Sequence, residues 1–179
     1  VFLIVTGPTE FYTLSLHDAL PICAGFDDLI QRLHATKTAH YVRRVAAGNL
    51  PLRPGVAEVI RAARASGIRL AIATTTSPEN VSALLDTSLA PSAADWFEVI
   101  GAGDIVASKK PAPDIYHWVL DRLALPASAC LAIEDSENGL RAALAAGLNC
   151  LVTVSEYTRG QDFSGAAAVL ENLGETATA

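Results

Sequence analysis

Residues 131–154 read LAIEDSENGLRAALAAGLNCLVTV. With Cys130 in front, CLAIE (130–134) is a short unbroken apolar run ending on an acid, and NCLVTV (149–154) is a second such run. Between them NGLRAALAAG (138–147) is rich in Ala and Leu and stops on a glycine, the usual residue just past a helix end. Strand, helix and strand in so short a span form a βαβ unit, whose two strands run parallel. Neither run alternates apolar with polar residues, as expected of a sheet covered by helices on both faces. The same rhythm holds upstream. VAEVIRAARASG (56–67), PENVSALLDTSL (78–89) and APDIYHWVLDRLAL (112–125) read as helices, and IRLAIA (68–73) and FEVIGA (97–102) as strands. The sequence therefore predicts an α/β fold with a doubly wound parallel sheet, with strands near 68–73, 97–101, 130–134 and 149–154. Ligands of such sheets bind beyond the carboxyl ends of the strands.

Before this core the texture differs. FDDLIQRLHATKTAHYVRRVAAG (26–48) spaces Leu29, Leu33, Tyr41 and Val45 at helical intervals and is one amphipathic helix, or two with a break. NLPLRPG (49–55) is a Pro/Gly hinge. The 179 residues suit one domain with a small appendage, and 51% hydrophobic residues suffice for a sizeable core. A net charge of −6 without a dense Lys/Arg cluster argues against nucleic-acid binding. No stretch reaches the length of a membrane span, and the apolar start VFLIV lacks the basic flank of a signal peptide. Cys23, Cys130 and Cys150 form no C-x-x-C pair and read as core residues in a reducing compartment, so a cytoplasmic monomer is expected.

Three strand ends carry chemistry. Thr74, Thr75 and Thr76 follow the first core strand and precede a Pro-initiated helix, where hydroxyls either cap the helix or hold a phosphate oxygen. Lys109 and Lys110 follow the second, and a solvated pair is the plain alternative. Glu134 and Asp135 follow the third, side by side at a helix start, which suits either the helix dipole or a hard cation. Hydroxyl, lysine and acidic pair on one rim make a coherent pocket for phosphoryl transfer.

This order of residues resembles the haloacid dehalogenase superfamily of aspartate-nucleophile phosphatases. LAIATTTSPENV (70–81) resembles its second motif, with Thr74 as the hydroxyl; KKPAPDIY (109–116) resembles the third, with Lys110 as the lysine. AIEDSENGLRAALAAGL (132–148) resembles the fourth in the form found among β-phosphoglucomutase and the CbbY-like sugar-phosphate phosphatases. LRPGVAEVI (52–60), GAGDIVASKKPAPDIY (101–116) and Tyr157 to Arg159 are most similar to the CbbY-like branch. The resemblance implies an HAD-like Rossmannoid core and a Mg²⁺-dependent phosphatase of small sugar phosphates, with a pentulose bisphosphate as one substrate. It implies catalytic roles for Thr74 and Lys110 and metal ligation by Asp135 and Glu134. Contacts from Thr75, Asn138, Arg159 and Lys37 to a small phosphorylated metabolite are also implied. A hexose phosphate mutase and a phosphoglycolate phosphatase are the alternative substrate classes.

The family begins with a strand ending in Asp-x-Asp-x-Thr, whose first Asp attacks phosphorus and whose second is general acid and base. Aligned on Gly7, VFLIVTGPTE (1–10) puts Ile4 and Thr6 at those positions, and Asp18 has no apolar strand before it. FYTLSLHDALPIC (11–23) fits neither strand nor cap and resembles translated sequencing-adapter read-through, so residues 1–23 are expected to be foreign. The expected organisation is an atypical segment 1–23 supplying a surrogate first strand, a remnant of the helical cap at 24–50, the core at 51–174 and a tail at 175–179. The same gap leaves a second possibility, a non-catalytic fragment or pseudoenzyme. A dinucleotide binder is excluded, because GAGD (101–104) does not follow a first strand. His34 and His40 do not share a helix face and make an improbable metal pair; Trp96 and Trp118 read as packing residues.

Overall fold

The computed structural model describes residues 2–4, 26–46 and 51–174. In chain order the elements are β1 (Phe2–Ile4), α1 (Phe26–Ala46), α2 (Val56–Ala65), β2 (Leu70–Ala73), α3 (Pro78–Ser88), β3 (Val99–Gly101), α4 (Asp114–Leu123), β4 (Leu131–Glu134), α5 (Glu137–Ala145), β5 (Asn149–Thr153) and β6 (Ala168–Leu170). The strands form one sheet in the order β3-β2-β1-β4-β5-β6, every neighbouring pair parallel. This is the doubly wound order, and its direction reverses between β1 and β4.

The pleat explains how two layers of helices cover the sheet. Successive strand residues face opposite sides. Leu70 and Ile72 of β2 pack with Ile60 and Ala63 of α2 and with Val81 and Leu85 of α3. Ala71 and Ala73 pack instead with Ile115, Tyr116 and Val119 of α4 and with Leu140 and Ala143 of α5. Small residues at 71, 73 and 132 on that second face make room for the large Tyr116, which is fully buried. Each buried Leu or Ile contributes about 1.5–3 kcal/mol, so the two layers hold the sheet from both sides.

Helix ends follow the local chemistry. Ser77 caps α3 by accepting from Asn80 N (3.4 Å), with Pro78 in the first turn. Ser136 caps α5 by accepting from Gly139 N (3.2 Å). Gly67 ends the α2 turn at φ +69°, a left-handed conformation that glycine adopts without strain.

The four expected strands are present, each shorter at its ends by a residue or two. β1 fills the place between β2 and β4, with Phe2 opposite both Leu70 and Leu131 and Ile4 opposite Ile133. The expected surrogate strand thus forms over residues 2–4, while residues 5 and 6 lie outside those described. Segment 26–46 is a single helix, not two. One strand was not anticipated. β6 pairs with the far edge of β5, Thr153 opposite Leu170. Its signal is a three-residue apolar run, AVL, after an Ala/Gly stretch, too short to separate from coil by periodicity. No helix among the described residues is long and apolar enough to cross a membrane.

Candidate active site

Lys110 is the centre of the site. The loop after β3 carries it back over the sheet, and its Nζ donates to Ala73 O at the end of β2 (3.1 Å) and to Glu134 Oε1 at the end of β4 (2.7 Å). Its side chain is only 9% exposed, so this ion pair is shielded from solvent. Lys109 goes the other way, to Gly103 O (2.9 Å) and the exposed Asp104 carboxylate. The two lysines thus divide as expected, Lys110 inward and Lys109 outward.

Glu134 follows from the strand alternation. It shares a face with Ala132, the face covered by α4 and α5. From α4 the Tyr116 hydroxyl donates to Glu134 Oε1, the same oxygen that takes Lys110. From α5 the backbone of Gly139 lies so close that a Cβ there would overlap the Glu134 carboxylate. Only glycine lets the helix start pass over this acid.

Asp135 is the next residue and is half-buried. Burial, and then the Glu134 carboxylate, push its pKa up from 3.8 to about 6, while Lys110 and Arg53 pull in the opposite direction. Tyr116 is driven well above its ordinary value, first by burial and then by Glu134, and so remains a neutral donor.

Thr74 continues β2, its N–H donating to Gly101 O (2.8 Å), and its side chain is buried. The Thr74 hydroxyl oxygen accepts from Thr76 N (3.2 Å), which leaves its own hydrogen to donate to an anion. Thr76 Oγ1 accepts from Asn80 Nδ2 (3.1 Å), and Asn80 Oδ1 is a buried acceptor with no partner among the described residues. Thr74, Lys110, Glu134 and Asp135 therefore sit at adjoining strand ends on one rim, next to the point where the sheet order reverses.

The other expected site residues sit further out. Thr75 is exposed, and Asn138 is half-buried in the first turn of α5. Arg159 is exposed and makes a two-pronged pair with Glu171 (2.5 and 2.7 Å). Lys37 is exposed on α1. His40 is also exposed, and nothing is described of the His34 side chain. Trp96 and Trp118 are half-buried packing residues, stacked under Arg64 (4.2 Å) and Arg122 (3.4 Å) respectively.

For Mg²⁺, the described residues contain no group of three or more His, Cys, Asp or Glu. Asp135 is a hard oxygen donor in a pocket where a second carboxylate disfavours its charge, and a dication would relieve that cost. Glu134 is less available, since Oε1 already takes two donors. The site fits a cation bound through one carboxylate and completed by phosphate and water, an arrangement Mg²⁺ accepts.

Sequence reading missed two groups. Tyr116 draws no separate signal from the sequence, though its place two residues after the helix start of PAPDIY puts it over the β4 end. Arg53, in the hinge, donates to Thr153 O (2.7 Å), Thr153 Oγ1 (3.0 Å), Val154 O and Glu171 O (2.9 Å). Its only sequence signal was an arginine between two prolines.

Residues 5–147 match the family described as haloacid dehalogenase-like hydrolase. CbbY from Rhodobacter capsulatus is 55% identical over 152 residues, which are 85% of this chain and 67% of that protein. The plasmid CbbY of Cupriavidus necator is 52% identical over 153 residues, 84% of this chain and 59% of its own length. Among solved structures, CbbY from Rhodobacter sphaeroides in complex with xylulose-(1,5)bisphosphate superposes with a TM-score of 0.78 at 48% identity, over 82% of this chain and 65% of that one. The chain thus spans about two thirds or less of these relatives. On matched length, identity and shared fold, the chain belongs to the haloacid dehalogenase-like hydrolases, in their CbbY-like branch.

Proposed function

We propose that this core serves a Mg²⁺-dependent phosphatase of small sugar phosphates, with a pentulose bisphosphate as its substrate. The observation that carries this reading is Lys110, held between the ends of β2 and β4 beside Thr74 and Asp135. The Lys110 ammonium neutralises a phosphoryl oxygen, and the Thr74 hydroxyl donates to a second. Asp135 holds Mg²⁺, which supplies charge neutralisation at the phosphoryl group when bound. Thr75, Asn138, Arg159 and Lys37 are the candidates for contacts to the rest of the substrate. The xylulose-(1,5)bisphosphate bound by the Rhodobacter sphaeroides CbbY favours a bisphosphate here over a hexose phosphate or phosphoglycolate.

A specific observation favours a second reading for the literal chain. Central strand β1 carries Phe2, Leu3 and Ile4, with no carboxylate to attack phosphorus. Turnover is therefore impaired, and the chain behaves as a non-catalytic binder of phosphate. The test is hydrolysis of p-nitrophenyl phosphate, then of xylulose-1,5-bisphosphate, by the purified monomer with Mg²⁺. Phosphate binding without turnover supports the second reading; robust turnover rejects it. Binding of neither phosphate nor sugar phosphate rejects both.

A further inference from the structure

We infer that Tyr116 is a positioning residue that turns Glu134 into the counter-ion of Lys110 and so leaves the metal to Asp135. The inference rests on Lys110 being the phosphoryl-holding cation of the proposed function. Tyr116 touches both members of the pair. Its hydroxyl donates to the oxygen that also takes Lys110, and the Lys110 Nζ lies 5.0 Å from the centre of its ring. Tyr116 is fully buried and Glu134 is 1% exposed, so neither has solvent to replace a lost partner. Glu134 is closed in on its other side by the Gly139 backbone, where no side chain fits.

An acid fixed in this way has one oxygen committed to two donors and the other against a helix start. Facing a metal would require it to release Lys110. The ammonium is then the group that Glu134 serves. Two of its three N–H groups are fixed on Ala73 and Glu134, which sets the direction of the third. Phenylalanine at 116 keeps the ring and loses only the hydrogen bond, so the fold survives while Glu134 loosens.

The chain has three lysines, Lys37, Lys109 and Lys110, which makes Lys110 simple to follow. The experiment is acylation of the intact protein with dilute acetic anhydride, reading each lysine's rate by peptide mass spectrometry. In the parent chain Lys110 reacts more slowly than the exposed Lys109 and Lys37. Tyr116→Phe is expected to speed Lys110 about tenfold, the scale of a lost hydrogen bond to a charged group, and to leave the other two unchanged. Glu134→Gln gives a similar acceleration, and adding Tyr116→Phe to it changes little further, because Tyr116 acts through Glu134. Val119→Ala opens space on the same helix without removing a polar partner, and Lys110 stays slow. An unchanged Lys110 rate in Tyr116→Phe overturns the inference. So do full additivity with Glu134→Gln and an equal acceleration in Val119→Ala. Protection of Lys110 by added inorganic phosphate reports on the proposed function separately: its absence with the clamp intact rejects that reading and not the role of Tyr116.

Discussion

Asp135 is an acid whose folded environment works against its charge, and this has a sign. Its pKa is about 6 in the fold against 3.8 ordinarily, so the folded chain binds the proton more tightly than the unfolded one. Between roughly pH 4 and 6 the folded state carries more protons, and stability falls as pH rises through that window. Above it the cost is complete, on the order of 3 kcal/mol. Asp135→Asn is expected to be more stable than the parent at pH 7.5, with the gap closing near pH 4, as read by urea unfolding at the two pH values. Added Mg²⁺ is expected to raise the parent's stability at pH 7.5 and not that of the variant. An acid kept at a thermodynamic disadvantage is what a ligand-binding position looks like, whereas Cys150, whose thiol burial pushes up to about 12, is inert packing.

At the scale of elements, β1 decides what the chain can do. Its register places Ile4 opposite Ile133, one residue before Glu134, so the carboxyl end of β1 reaches the same rim as the acidic pair. Replacing Ile4 and Thr6 by Asp adds two carboxylates, the one at position 4 falling at this end of the sheet. The expected outcome is a measurable gain in Mg²⁺ affinity by calorimetry, with weak recovery of turnover. Unchanged affinity in a folded double variant shows that β1 does not stand in for the catalytic strand. Much of this layout was legible in the sequence, because long apolar runs and Gly-terminated helices are local signals. β2 to β5 and α2 to α5 announce themselves, and Thr74, Lys110 and Asp135 each follow a strand end. What was not legible is long-range. Tyr116 reaches Glu134 across 18 positions and Arg53 reaches Thr153 across 100, and neither partner appears in any window of local sequence. The roles of Thr75, Asn138, Arg159 and Lys37 depend on what covers the rim, which spacing does not encode.

At the scale of the whole molecule, the Arg53 fork ties the hinge before α2 to the ends of β5 and β6. Gly55 presses on the backbone of Leu173 and Gly174, where a Cβ would not fit. Arg53→Ala leaves four acceptors without their donor and is expected to lower stability by about 2–3 kcal/mol. Arg53→Lys recovers little of it, because an ammonium cannot reproduce the planar fork; thermal unfolding of both variants checks this. The two layers of helices make a further expectation. Ile60 and Ile115 lie in separate cores on opposite faces of the sheet, so Ile60→Val and Ile115→Val should each cost about 0.5–1.5 kcal/mol and add to within about 0.5 kcal/mol in the double variant. A larger discrepancy in denaturant unfolding shows that the faces communicate. The site draws on both: Thr74 continues the row of Leu70 and Ile72, while Glu134 belongs to the face of Tyr116 and Gly139. Lys110 bonds to Ala73 O and to Glu134, both on the acidic side, and Thr74 is tied to them through its place next to Ala73 in the chain. A lineage carrying this fold can therefore exchange apolar residues beneath its hydroxyl corner for many generations without disturbing its acidic corner. Drift on the two sides is independent, and the step from Ala73 to Thr74, where β2 passes from one side to the other, is where the two histories must agree.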